Sequence, residues 1–168
     1  DKMRLVPFGE YFPVPPGVRE WMAMLSLPHK DLSAGDDEQP LIKTLDGTAL
    51  TAAICYEDAY AAEMLYALPE AGILINVSND AWFGDSLAPH QHLEIARMRA
   101  VETRRFLLRA TNTGISAIID PFGHVRGRSP QFERAILSDR VTPLSGMTPF
   151  AHVGHGAVLG LAVLLLVV

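Results

Sequence analysis

Cys55 is the single cysteine of this 168-residue chain, and it stands in the run Ile54-Cys55-Tyr56-Glu57-Asp58 at the end of the apolar stretch ALTAAI. A neutral thiol is a poor nucleophile, and its thiolate needs a base or a cation nearby. The two acids that follow Cys55 disfavour a thiolate on their own, so a cation must approach from elsewhere. Lys2, in Lys2-Met3-Arg4-Leu5-Val6-Pro7-Phe8-Gly9-Glu10, is the candidate. A lysine held near a thiol stabilises both the thiolate and a developing oxyanion, and Glu10 is placed to order that lysine. The plain alternatives are a buried thiol acting as a small hydrophobe, a solvated surface lysine and an acid in a turn. A third cluster, Asn76 to Gly84, carries Asn76, Asn79, Trp82 and Phe83.

These residues need elements to position them. Residues 7–40 are rich in Pro and Gly, with one candidate helix over 18–27 and an exposed loop over 33–39. Residues 49–54 read as a strand, 72–77 as a buried strand, and 59–67 as a helix between them. The most regular helix is expected over 90–106, with Leu93, Ile95, Met98, Val101 and Phe106 facing inward. Strands are expected over 107–110, 115–119 and 134–141, with a turn at Pro121-Phe122-Gly123. Alternating strands and helices predict an α/β sandwich around a buried sheet. Functional groups gather where the strands of such sheets end, so Cys55 and the segment 76–82 are expected to share a cleft.

Composition excludes several classes. One cysteine allows no intrachain disulfide and no cysteine-based zinc cage. His90 and His92 are two apart on a helix and face different ways, so they form no metal pair. The net charge of −5 comes without a basic block, which argues against a nucleic-acid partner. Arg97, Arg99, Arg104, Arg105 and Arg109 read as a solvated helix face paired with Glu94 and Glu102, or as a contact for lipid phosphates. Apolar residues make up 49% of the chain, and the excess sits in residues 157–168, AVLGLAVLLLVV. That run is either a buried terminal segment or the first part of a transmembrane helix, which needs about 20 apolar residues. The second reading is preferred here, because no face of the run is polar. His152 and His155 then flank it at the membrane surface. The abrupt start at Asp1 and the end at Val168 read as a piece of a longer protein.

The spans KMRLVPFGEYFP, ICYED and NVSNDAWFGDSLAPHQHLEIARMRAVETRRFLLRATNTGISAIIDPFG together resemble the nitrilase (carbon–nitrogen hydrolase) superfamily. Within it they resemble the apolipoprotein N-acyltransferase family of the bacterial inner membrane. The resemblance covers nearly all of residues 2–125. It implies a nitrilase-type αββα sandwich, of which residues 1–150 are the C-terminal portion of the catalytic domain. Residues 151–168 are then a juxtamembrane segment and the start of a C-terminal transmembrane helix. It implies that Cys55 is the nucleophile, which takes an acyl chain from a phospholipid as a thioester and hands it to the N-terminal amine of a diacylglyceryl lipoprotein. Lys2 is the triad lysine, Glu10 a second acid supporting the site, and Tyr56 and Glu57 residues beside the nucleophile needed for activity. Trp82 lies in the active-site loop. With Phe83, after Asn79 and Asp80, it is placed to form a lid or acyl-chain wall, unless both merely pack as aromatics. The triad's general-base Glu lies well upstream of the lysine in that family, and only Asp1 precedes Lys2, so this chain alone is expected to be inactive. The resemblance further implies a membrane location with the catalytic domain on the periplasmic side, no metal or organic cofactor, and a monomer. Two other readings stay open: a soluble nitrilase-type amidase using the same Cys and Lys, and a catalytically dead member that binds lipids or proteins.

Overall fold

The computed structural model describes residues 1–24 and 32–167. The chain forms two compact units, Asp1–Gln39 and Pro40–Val168. In the first, the Pro-rich stretch ends in helix α1, Pro16–Met24. The last three residues of the helix expected over 18–27 lie outside the described residues, as does Val168. The loop over 33–39 carries no regular element, as expected.

The second unit is built on one six-stranded sheet whose strands lie side by side in chain order: β1 Ile42–Lys43, β2 Ala49–Ile54, β3 Ile73–Asn79, β4 Phe106–Asn112, β5 Ala117–Ile119 and β6 Val125–Arg128. β2, β3 and β4 run parallel, and the outer pairings are antiparallel. Parallel neighbours need crossovers. Helix α2, Ala61–Leu65, lies in the first crossover and α3, Ala88–Thr103, forms the second. Register aligns side chains into rows. Thr51, Leu74, Leu107 and Ile119 form one buried row, and Ala53, Asn76, Arg109 and Ala117 the next. α3 covers these rows with Leu93, Ala96 and Ala100. On the opposite face Leu50, Ala52, Ile54, Ile75 and Leu108 are only half-buried. The described residues supply one sheet and helices against it. A second sheet of the expected sandwich is not among them.

Three expectations need correction. First, the buried face of α3 is Pro89, His92, Leu93, Ala96, Arg99, Ala100 and Thr103, while Ile95 is half-buried and Met98 and Val101 are exposed. Alanines let the helix approach the sheet closely; His92 meets Asp58 and Asp80 beneath it, while Arg99 pairs with Glu102 and Thr103 donates to the Arg99 carbonyl within the helix itself. Second, residues 134–141 form no strand. β6, reached through the turn at Gly123 (φ +82°), already occupies the edge beside β5. The 134–141 segment runs over the surface instead, held by an Arg126–Asp139 ion pair at 2.9 Å.

The third correction concerns the arginines, which do not share one solvated face. Arg97 does pair with Glu94 at the surface, at 2.7 Å. Arg99, Arg105 and Arg109 are buried. Arg105 gives all its hydrogen bonds to backbone carbonyls, those of Ala71 (2.7 Å), Gly146 (2.8 Å), Thr103, Arg104 and Pro69. It thereby ties the approach to β3 to the segment before α4, Pro149–Val153. The last helix, α5, is Gly156–Val167. Among the described residues no helix is long and apolar enough to cross a membrane.

Candidate active site

In the first unit Lys2 and Glu10 are joined directly. The Lys2 ammonium donates to both carboxylate oxygens of Glu10 at 2.6 Å, and the pair is partly buried. A tight turn brings Glu10 back: Val6 O accepts from the N–H groups of Gly9 and Glu10, and Phe8 sits at φ +64°. Glu10 Oε2 in turn accepts from the Val6 N–H at 2.7 Å. The carboxylate thus fixes the lysine and the turn together.

In the second unit the candidate residues gather at the C-terminal ends of the parallel strands. Cys55 opens a 3-10 turn, Cys55–Ala59, directly after β2. Its φ is +58°, a conformation that costs a non-glycine residue about 1–3 kcal/mol. The thiol is half-buried. Glu57, 1% exposed, clamps the turn by accepting the Ile54 N–H at 2.6 Å. Tyr56 and Tyr60 meet edge to face at the surface, ring centroids 6.1 Å apart.

Beneath the turn lies a fully buried polar network. His92 Nε2 faces Asp58 Oδ1 at 3.0 Å and the Cys55 carbonyl at 3.2 Å, and His92 Nδ1 faces Asp80 Oδ1 at 3.1 Å. Arg109 donates to Asp58 at 3.3 Å, to Asp80 at 3.0 Å and to the Asn76 side-chain oxygen. Asn76 Nδ2 donates to the Cys55 carbonyl at 3.0 Å. Burial pulls the His92 pKa down, but the hydrogen bonds that the ring donates to Asp58 and Asp80 outweigh it and raise it to about 9. Burial pushes Asp80 up, yet His92, Ser78 and Arg109 bring it below the ordinary aspartate value. Two carboxylates and two cations therefore balance in the interior, as buried charges must.

Of the segment 76–83, Asn76 is mid-strand rather than at the strand end and belongs to this network. Asn79 ends β3, and its side-chain oxygen accepts the Ala81 N–H at 3.2 Å, starting the 3-10 turn Ala81–Phe83. That turn presents Trp82, 76% exposed, and Phe83, 38% exposed. His90 is exposed and His92 buried, on different faces of α3. Sequence reasoning missed Asp58, Asp80, His92 and Arg109 as a unit. The available signal was one polar residue inside each of two apolar parallel strands, Asn76 and Arg109, which register makes neighbours.

The Carbon-nitrogen hydrolase family matches residues 1–145. The chain belongs to that family. Within it, the chain is 48% identical over 95% of its length to a protein of Methylococcus capsulatus named apolipoprotein N-acyltransferase. It is 44% identical over 98% of its length to one of that name from Azotobacter vinelandii, and 46% identical over 98% to one from Nitrosomonas europaea. It spans about a third of the length of these relatives, 32%, 32% and 33%. Among solved structures, the C. elegans NitFhit protein superposes with a TM-score of 0.54 at 21% identity, covering 77% of this chain and 31% of that one. An amidase from Nesterenkonia sp. gives 0.52 at 23% identity, covering 79% and 49%. These likenesses show the carbon–nitrogen hydrolase α/β fold.

Proposed function

We propose that this chain carries the nucleophile of an N-acyltransferase, which moves a fatty acyl chain from a phospholipid to the N-terminal amine of a diacylglyceryl lipoprotein. The observation that carries the reading is Cys55, half-buried on a strained turn at the end of a parallel strand, in a chain whose relatives bear that name.

A base takes the thiol proton, and Cys55 Sγ attacks the ester carbonyl carbon. Lys2, held by Glu10, and the backbone N–H groups around Tyr56 stabilise the oxyanion. The C–O bond breaks, and the lysophospholipid alkoxide leaves with a proton. The lipoprotein amine then attacks the thioester carbon. The C–S bond breaks, the amine gives up a proton and the amide is released. Two half-reactions through one acyl-enzyme give ping-pong kinetics. Glu57 supports the turn that presents Cys55. Trp82 and Phe83, next to Asn79, line the acyl chain and exclude water from the thioester.

The reading also places the protein at a bacterial inner membrane, with this domain on the periplasmic side and acting as a monomer. The support is α5: Leu159, Leu161, Val163, Leu164, Leu165 and Leu166 are all exposed on it. A helix apolar on every face belongs in hydrocarbon or a protein core, and we assign α5 to the hydrocarbon.

The test is the intact mass of the native protein that carries this chain, purified from membranes. A fatty-acyl increment on Cys55 that neutral hydroxylamine removes, and that Cys55→Ala lacks, supports the thioester. A Cys55 that stays bare after incubation with phospholipid vesicles rejects it in favour of an amidase or a binding protein.

A further inference from the structure

The Cys55 carbonyl oxygen is gripped from below. Asn76 Nδ2 donates to it at 3.0 Å and His92 Nε2 lies 3.2 Å away. The Cys55–Tyr56 peptide is trans, and in a trans peptide the C=O and N–H point in opposite directions. A carbonyl held down into the core therefore turns the Tyr56 N–H up and away from it. We infer that His92 is a positioning residue of this site, which with Asn76 holds the Cys55 carbonyl and so aims and polarises the Tyr56 N–H as an oxyanion donor. This inference rests on the reading of Cys55 as the nucleophile.

The partners of His92 dictate its charge. Nε2 faces a carbonyl and an Asp58 oxygen, and Nδ1 faces an Asp80 oxygen. A carbonyl and a carboxylate oxygen only accept. A neutral imidazole would set a lone pair against a carboxylate on one side or the other, so both ring nitrogens carry hydrogen. The raised His92 pKa agrees. Among the described residues, the charged groups that face the ring are Asp58 from the 3-10 turn, Asp80 after β3 and Arg109 from β4. The Tyr56 ring is tilted by 54° against the imidazole, with centroids 6.2 Å apart. A charged donor makes a stronger hydrogen bond than a neutral one. Bonds in a chain polarise one another, so drawing electron density from the carbonyl strengthens the N–H of the same peptide as a donor.

A merely structural network would hold the fold without favouring one reaction of Cys55. Two reactions of the same thiol separate these roles. Alkylation by iodoacetamide displaces iodide at a saturated carbon and forms no oxyanion. Acylation by phospholipid passes through one. His92→Gln keeps an N–H donor near the carbonyl but removes the positive charge. In the native membrane protein it is expected to lower the acylation rate about 100-fold, the scale of one lost oxyanion donor. Alkylation should stay within about threefold of wild type. Acylation within threefold of wild type overturns the inference, as does an equal fall of both rates with a lowered Tm. Asn76→Ser leaves all four charges in place and is the second variant, should His92→Gln fail to fold. It is expected to cost at least about tenfold in acylation alone, and an unchanged rate overturns the inference. If neither variant folds, the residues are structural and the inference falls. A wild-type protein whose Cys55 alkylates but never acylates rejects the acyltransferase reading itself.

Discussion

His92 ties protonation to stability. Its folded pKa is raised to about 9 from an ordinary 6.5. A raised pKa means that the folded state holds the proton more tightly than the unfolded chain does. The stabilisation is therefore complete below about pH 6.5 and is lost as pH rises through about 9, on the order of 3 kcal/mol across that window. Unfolding midpoints measured at pH 6, 8 and 10 should fall, and His92→Gln should flatten the trend. A wild-type midpoint that rises over that interval contradicts a buried imidazolium. Gly114 sits against the same network, since a Cβ there would collide with Asp80 Oδ2 and lie 2.8 Å from Asp80 Cβ. Gly114→Ala should therefore cost about 2 kcal/mol or more and disturb the pairing of Asp80 with Arg109, visible as a lowered Tm.

At the scale of elements, β2 was legible to the residue, because ALTAAI is a short apolar run closed by Cys-Tyr-Glu-Asp. The face of α3 was not. Periodicity favours the large apolar Ile95, Met98 and Val101, whereas the sheet accepts Ala96 and Ala100, with His92 and Arg99 buried beside them. Hydrophobic pattern reports transfer from water, but a buried charge is allowed by partners distant in sequence, and Asp58, Asp80 and Arg109 lie 34, 12 and 17 positions from His92. The same reason hides Arg105, which reads as one of a surface cluster. Arg105→Leu strips donors from the carbonyls of Ala71 and Gly146 and should cost about 3 kcal/mol. Thermal unfolding should show a drop of several degrees, against little change for the exposed Arg97→Leu. α5 makes a different prediction. A cysteine placed as Leu164→Cys in a Cys55→Ser background should react at least about tenfold more slowly with a membrane-impermeant maleimide than one placed at the exposed Glu133. Equal labelling would show that the helix lies in water.

For the molecule as a whole, the order of strands and helices indicates an α/β sandwich, the spans KMRLVPFGEYFP, ICYED and NVSNDAWFG carry the family resemblance, and residues 1–145 match that family. What the order leaves hidden is depth. The motif ICYED presents Cys55 and Glu57 as local neighbours, and the fold adds a buried floor drawn from β3, β4 and α3. That floor explains how a strained turn persists: the Cys55 carbonyl and the Ile54 N–H are both bound, so relaxing φ would strand buried polar groups. The central claim is that the acyl chain passes from Cys55 to an amine and not to water. It is tested most directly by isolating the acyl-enzyme, adding a diacylglyceryl lipoprotein and weighing both proteins. The account predicts that the acyl mass leaves Cys55 and appears on the lipoprotein N-terminus as a hydroxylamine-resistant amide. Loss of the acyl mass to free fatty acid, with the lipoprotein unchanged, would contradict it.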